Sequence, residues 1–323
     1  MKTALTAAAL GILATLVTAP AVAGPLRPER VGADAEWVVH VDVEALTRSA
    51  IGRFVLEHAG DLGIDMSEIE KVRGELGIDP RTDVFSVTAY GPTAAGEDDG
   101  VIVAVTNGNA DEAMARVMAM PEIRAELLDV DGYPVHALTD EDETMYVHLR
   151  PDGDRRILVA GDDRESLLRA LRVLDGRAGD AKKAAVITRP PGSGSIVFAA
   201  VRDADLLEEF EPASDIARLS EMVTIDVGES DGALFALAAI TAGNEQDSRD
   251  VAQVVQGLIA LGRLVAGQEP DLEPLRELAS ALQVTAEGSQ IRVQFEYDTR
   301  PLIEAMKESF EAAEHEEERT PDP

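Results

Sequence analysis

The sequence predicts an α+β fold of two related modules, each a mainly antiparallel sheet with helices packed on one face. The first observation behind this is internal repetition. "TNGNADEAMARVM" from Thr106 matches "TAGNEQDSRDVAQVV" from Thr241, and "GDDRESLLRAL" from Gly161 matches "YDTRPLIEAM" from Tyr297, so that Gly108 to Gly243 and Asp163 to Asp298 share one offset of 135 residues. The second is that apolar, strand-forming runs follow one another as hairpins and meanders with amphipathic helices between them. The third is strict alternation in "SQIRVQFEYD", where Ile291, Val293, Phe295 and Tyr297 face one way and Arg292, Gln294 and Glu296 the other. That pattern belongs to a sheet with one covered face.

Taken in order, the first copy opens with a strand at 37–43 and a helix from about 45 to 59, then a second helical stretch, "DMSEIEKVRGELG". "TDVFSVTAY" and "GVIVAVT" are strands separated by the turn-forming "GPTAAGEDDG", and "VIVAV" is apolar on both faces, as a central strand should be. "NADEAMARVMAM" is a helix that starts at the cap Asn109 and stops at Pro121. "YPVHAL" and "TMYVHLR" flank the five-residue loop "TDEDE" as a hairpin, "RRILVAG" is a strand, and "DDRESLLRALRVL" is a capped helix. The second copy reads as a strand at 195–202, a helical segment, strands "MVTIDV" and "ALFALAAIT", and a helix at 246–266. A short helix at 271–280, strands near 282–286 and 289–297, and a helix from 300 complete it. "HVDVEAL" from His40 also resembles "AVRDADL" from Ala200, at the larger offset of 160, so the first copy holds about 25 more residues before its Thr-x-Gly-Asn turn.

These readings divide the chain into a signal peptide at 1–23, a first module at 24–176, a linker at 177–194, a second module at 195–310 and an acidic, disordered tail at 311–323. The signal is Lys2, the apolar "ALTAAALGILATLV" and "TAPAVAG", with cleavage expected after Ala23 and export to the periplasm or medium. No later run approaches the roughly 20 apolar residues of a membrane helix. The absence of cysteine excludes disulfides, thiolate metal sites, cysteine nucleophiles and lipidation at the cleavage site. A formal charge of −32, or −33 once Lys2 leaves, argues against nucleic acid and anionic headgroups as partners and leaves basic proteins, cations or small molecules.

"LGIDPRTDVFSVTAYG", with the opening "VGADAEWVVHVDVEAL" behind a signal peptide, resembles a group of uncharacterised exported proteins of planctomycete-type bacteria. The resemblance spans most of the mature chain. It implies export and a duplicated α+β fold, and it brings no catalytic residue, cofactor or ligand set.

One constellation merits chemical weight. On the opening strand, Val38, His40 and Asp42 share a face. With Val135 opposite Val147 across the five-residue loop, His136, Tyr146 and His148 share the polar face of the hairpin. If that strand neighbours the hairpin, His40, Asp42, His136 and His148 would offer three imidazoles and a carboxylate to zinc or a similar ion. The competing reading is an exposed polar sheet face. The second copy has Ala200, Arg202, Asp271 and Gln283 in the corresponding positions, and the expectation is that no metal is bound.

Other motifs are empty. Ser193 in "PGSGS" is not on a strand-to-helix elbow, and Gly192 and Gly194 lack a third glycine. The acidic runs at 97–99 and 140–143 lack calcium-loop spacing, and "EHEEE" reads as solvated tail. In "DVAQVVQGLIALGRLV", Val251, Val254, Val255, Leu258, Ile259 and Val265 form a stripe widened by Leu261 and Leu264, which reads first as a helix covering a sheet. The sequence therefore points to an exported, non-enzymatic binding or interaction protein with no cofactor. A metal-dependent hydrolase on the polar face of the first module, and a carrier of an apolar ligand in a cleft, are the alternatives.

Overall fold

A computed structural model describes residues 25–92, 100–177, 185–202, 219–266, 278 and 280–317. The expected signal peptide, the helical segment after 202 and most of the short helix at 271–280 lie outside these residues. Among the described residues twelve strands form one sheet: β1 (Trp37–Asp42), β2 (Val84–Gly91), β3 (Val101–Thr106), β4 (Ile123–Val130), β5 (Tyr133–Asp140), β6 (Glu143–Asp152), β7 (Arg155–Gly161), β8 (Ser195–Arg202), β9 (Ser220–Ser230), β10 (Ala233–Ala242), β11 (Gln283–Glu287) and β12 (Gln290–Asp298). The described helices are α1 (Val43–Arg48), α2 (Ala50–Glu57), α3 (Ser67–Leu76), α4 (Pro80–Asp83), α5 (Asn109–Met118), α6 (Arg164–Leu174), α7 (Glu245–Ala266) and α8 (Thr299–Glu317). The α+β class is thus what the chain adopts.

Every neighbouring pair of strands is antiparallel, and the order across the sheet is β11-β12-β10-β9-β8-β1-β2-β3-β7-β6-β5-β4. Read outward from the middle, one half runs β1-β2-β3-β7-β6 and the other β8-β9-β10-β12-β11. At the seam, Val39 lies opposite Ala199, two residues that the offset of 160 makes equivalent. β4 and β5 extend the first half only.

The front face of the first half carries the main core. Val38, Val103, Val135 and Val159 pack there under Leu167 and Leu171 of α6, and Leu26, Val31 and Ala35 close it from the N-terminal side. On the back, Leu138, Val147 and Ala160 meet Met114 of α5. Helices therefore cover both faces of this half, because "RRILVAG" and "VIVAV" are apolar on both sides and each side needs a cover. In the second half the back face carries Val223, Ile240 and Ile291 beneath Val251 and Ala252 of α7, while Arg292, Gln294 and Glu296 stand exposed on the front.

Several local expectations change. The helix read at 45–59 breaks at Ser49, whose ψ of 149° is extended. Its hydroxyl accepts from Gly52 N and donates to Leu46 O. A Cβ on Gly52 would lie 1.8 Å from Leu46 O, so the corner admits only glycine. The hairpin at 139–143 turns on two residues, Glu141 and Asp142, with Asp140 opposite Glu143. The turn is tighter because Glu141 adopts φ 50°. Within the expected linker, Val186 and Ile187 are buried in the front core, since two adjacent aliphatics there find the cover they need. The expected tail is helical as far as Glu317, because α8 continues through "EAAEHEE", a run of good helix formers.

Candidate docking face

The four residues singled out for metal chemistry do not meet. His40 sits at the centre of the sheet, buried, with Nδ1 2.9 Å from Thr88 Oγ1. The ladder runs His40, Thr88, Val103, Val159, His148, one residue per strand, so the two imidazoles share a face across four strand spacings, about 19 Å. His148 is buried as well; its Nδ1 donates to Pro134 O at 2.7 Å, and Tyr133 packs edge-on at 5.8 Å. His136, and not Val135 as expected, lies opposite Val147 and therefore points to the back face. The cause is the two-residue turn, which moves the register by one from that of a five-residue loop and exchanges the faces of the strand.

Asp42 has another task. Its Oδ1 accepts from Ala45 N at 2.9 Å and caps α1. Burial pushes its carboxyl above the ordinary value, against the opposing pull of the Ala45 N–H and of Arg48. It borders a cleft of about 370 Å³ with Glu44, Arg48, Glu229 and Asp231. Three of those carboxylates are committed: Asp42 caps α1, Glu229 Oε2 accepts from Ile51 N at 2.9 Å at the start of α2, and Glu44 pairs with Arg48. The cleft is the polar joint by which two short helices are fixed to the sheet. Among the described residues no group of three His, Asp or Glu side chains is placed to hold a metal ion.

The sequence did not flag Asp83, a buried carboxylate just before β2. Its Oδ1 accepts from the Asn107 and Asn109 amides at 2.7 and 3.0 Å, and its Oδ2 accepts from Asp79 N at 2.7 Å. It thus anchors the Thr-x-Gly-Asn turn to the loop before β2. In the second copy of that turn, Asn244 Oδ1 caps α7 directly, accepting from Gln246 N and Asp247 N. The motif was legible; its anchor, 24 residues away in sequence, was not.

What remains open is the α7 side of the second half. Val251, Ala252 and Val255 pack on Val223, Ile240, Ile291 and Val284, whereas Val254, Leu258, Leu261 and Leu264 are 44, 42, 56 and 61 % exposed. Arg263 donates to Leu282 O at the β11 edge at 3.4 Å. At 100° per residue this places Leu258, with Val254 and Leu261 beyond it, on the helix flank turned away from that edge. Ile225 lies on the same back face and is 41 % exposed. One isolated exposed leucine is unremarkable; four aliphatics along one helix flank form a surface that water solvates poorly. Asp247 and Asp250 stand at the N-terminal end of this stripe.

No protein-family model matches the chain, and no curated protein matches it. Among solved structures it is similar to the Treponema protein TP0453. Its crystal form III aligns with TM-score 0.48 and 9 % identity over 88 % of this chain and 97 % of that one. Crystal form IV aligns with TM-score 0.46 and 10 % identity over 88 % and 97 %. Among the described residues no helix is long and apolar enough to cross a membrane.

Proposed function

We propose that this is an exported, non-enzymatic binding protein, built from two copies of one α+β unit, that docks a protein partner on the exposed flank of α7. The signal-like N-terminus supports export, and the matching strand order on either side of the β1–β8 seam supports duplication. The observation that carries the docking reading is the row Val254, Leu258, Leu261 and Leu264, left uncovered on a helix whose other side is already packed. A chain of charge −32 with Asp247 and Asp250 beside the row selects a partner segment that is apolar and flanked by Lys or Arg.

A labelled amphipathic Leu/Lys helix serves as the probe, with fluorescence anisotropy as the readout. Leu258→Glu/Leu261→Glu should weaken its binding at least tenfold. The substitution makes the protein more acidic, so electrostatic adsorption alone would tighten instead of weaken. Equal or tighter binding by the variant overturns the reading, as does tight binding of a fatty acid with none of the peptide.

A further inference from the structure

The sheet ends differently at its two edges. β11 is five residues long and runs beside α7, which reaches it through Arg263. β4, at the opposite end and remote from the α7 flank, is eight residues long and, among the described residues, has no strand on its outer side. An uncovered edge of this length is a template for another strand.

The hairpin sets which backbone groups are offered. β4 and β5 are joined by Asp131–Gly132, with φ of 58° and 84°, and Val130 opposite Tyr133. A two-residue turn is closed by a hydrogen-bonded pair, so Val130, Leu128, Glu126 and Arg124 direct their backbone groups to β5. Ala125, Leu127 and Asp129 direct theirs outward. Ile123 has the same parity, and its N–H turns away from β5 to Met120 O at 3.1 Å. Side chains alternate too: Arg124 and Glu126 stand exposed on the front, while Ile123, Ala125 and Leu127 lie on the back, with Leu127 63 % exposed.

We propose that β4 is a self-association edge, at which two copies of this chain pair antiparallel about a two-fold axis at Ala125. Registers centred on Arg124 or Glu126 set like charges face to face. Centring on Leu127 puts Glu126 opposite Leu128 and Asp129 opposite Ala125, with no charge matched. Centring on Ala125 sets Arg124 opposite Glu126 of the second copy, twice, and Leu127 opposite Ile123, twice. Both Ala125 residues then exchange N–H···O bonds, and each Leu127 N–H meets Ile123 O. Arg124 and Glu126 fall in the non-hydrogen-bonded positions, where facing side chains are closest. Repulsion between two chains of −32 is screened beyond about 8 Å at physiological ionic strength, so these local pairs decide the register. The contact is isologous and uses up the free edge, so assembly stops at a dimer.

Sedimentation equilibrium on the mature chain tests this through charge exchange. The wild type should dimerise. Arg124→Glu and Glu126→Arg should each lower the association constant about tenfold, and the double exchange should restore it. Ala125→Pro, which removes an outward N–H and leaves the ladder to β5 intact, should abolish the dimer with far-UV circular dichroism unchanged. A wild type that stays monomeric at every soluble concentration overturns the proposal. So does a dimer indifferent to the single exchanges, or one that the double exchange fails to restore.

Discussion

At the end of α6, Asp175 accepts from the Tyr133 hydroxyl at 2.6 Å and from Arg150 Nη1 at 2.6 Å, joining the helix to β5 and β6. The Tyr133 hydrogen bond, followed by that of Arg150, holds its carboxyl below the usual carboxylate value, against a smaller opposing effect of burial. A lowered folded-state pKa contributes stability that is complete above the unfolded value and is lost as pH falls through the folded one. Asp175→Asn should therefore lower stability at neutral pH and flatten its loss in acid, read from urea midpoints between about pH 6 and pH 2.5. Asp42 has the opposite sign. Its raised pKa gives a contribution present below the unfolded value and lost as pH rises through the folded one, so at neutral pH its charge is a cost. Asn caps helices as well as Asp does. Asp42→Asn should then equal or exceed the wild type at pH 7 and lose that advantage in acid, whereas Asp42→Ala should cost about 1 kcal/mol at neutral pH through the lost cap. A destabilised Asn variant at pH 7 would show that the charge itself is used, for instance by Arg48.

Among the elements, α7 has two chemically distinct flanks, and substitution should separate them. Val251 is fully buried against Ile240 and Ile291, so Val251→Ala should lower stability by about 2 kcal/mol. Leu258→Glu/Leu261→Glu, on the exposed flank, should shift it by no more than about 0.5 kcal/mol, since neither side chain is covered. Urea unfolding of the two variants decides this; a large loss in the second would mean that the flank is packed. The packed flank was legible in the sequence, because apolar residues at 3.6-residue spacing announce it. The exposed flank was not, because periodicity gives the width of a stripe and not which part finds a cover. The same limit explains β4. "IRAELLDV" has no alternation and contains good helix formers; only the Asp-Gly turn and pairing with β5 make it a strand. The histidine site failed for a related reason. Counting "TDEDE" as five loop residues instead of two reversed the face of His136, and strand order, which decides the distance from His40 to His148, is set by long-range pairing.

Across the whole molecule, matching motifs were readable in the sequence at offsets of 135 and 160 residues, but whether two sheets or one resulted depended on β1 and β8. They pair with each other, Trp37 to Val41 against Val197 to Val201, so the ladder passes from one half to the other without a gap. No buried segment can be withdrawn at this seam without exposing strand edges in both halves, which predicts one cooperative transition rather than two. Phe198 tests it best. It is 1 % exposed on β8, lies between His40 and Asp226 along the ladder, and belongs to the front core of the first half. Phe198→Ala should cost about 3–5 kcal/mol. Because the side chain joins a strand of the second half to the core of the first, the loss should lower the midpoint of a single calorimetric transition with both halves melting together. Two resolved transitions, with only one displaced, would mean that the seam is a contact between independently stable units.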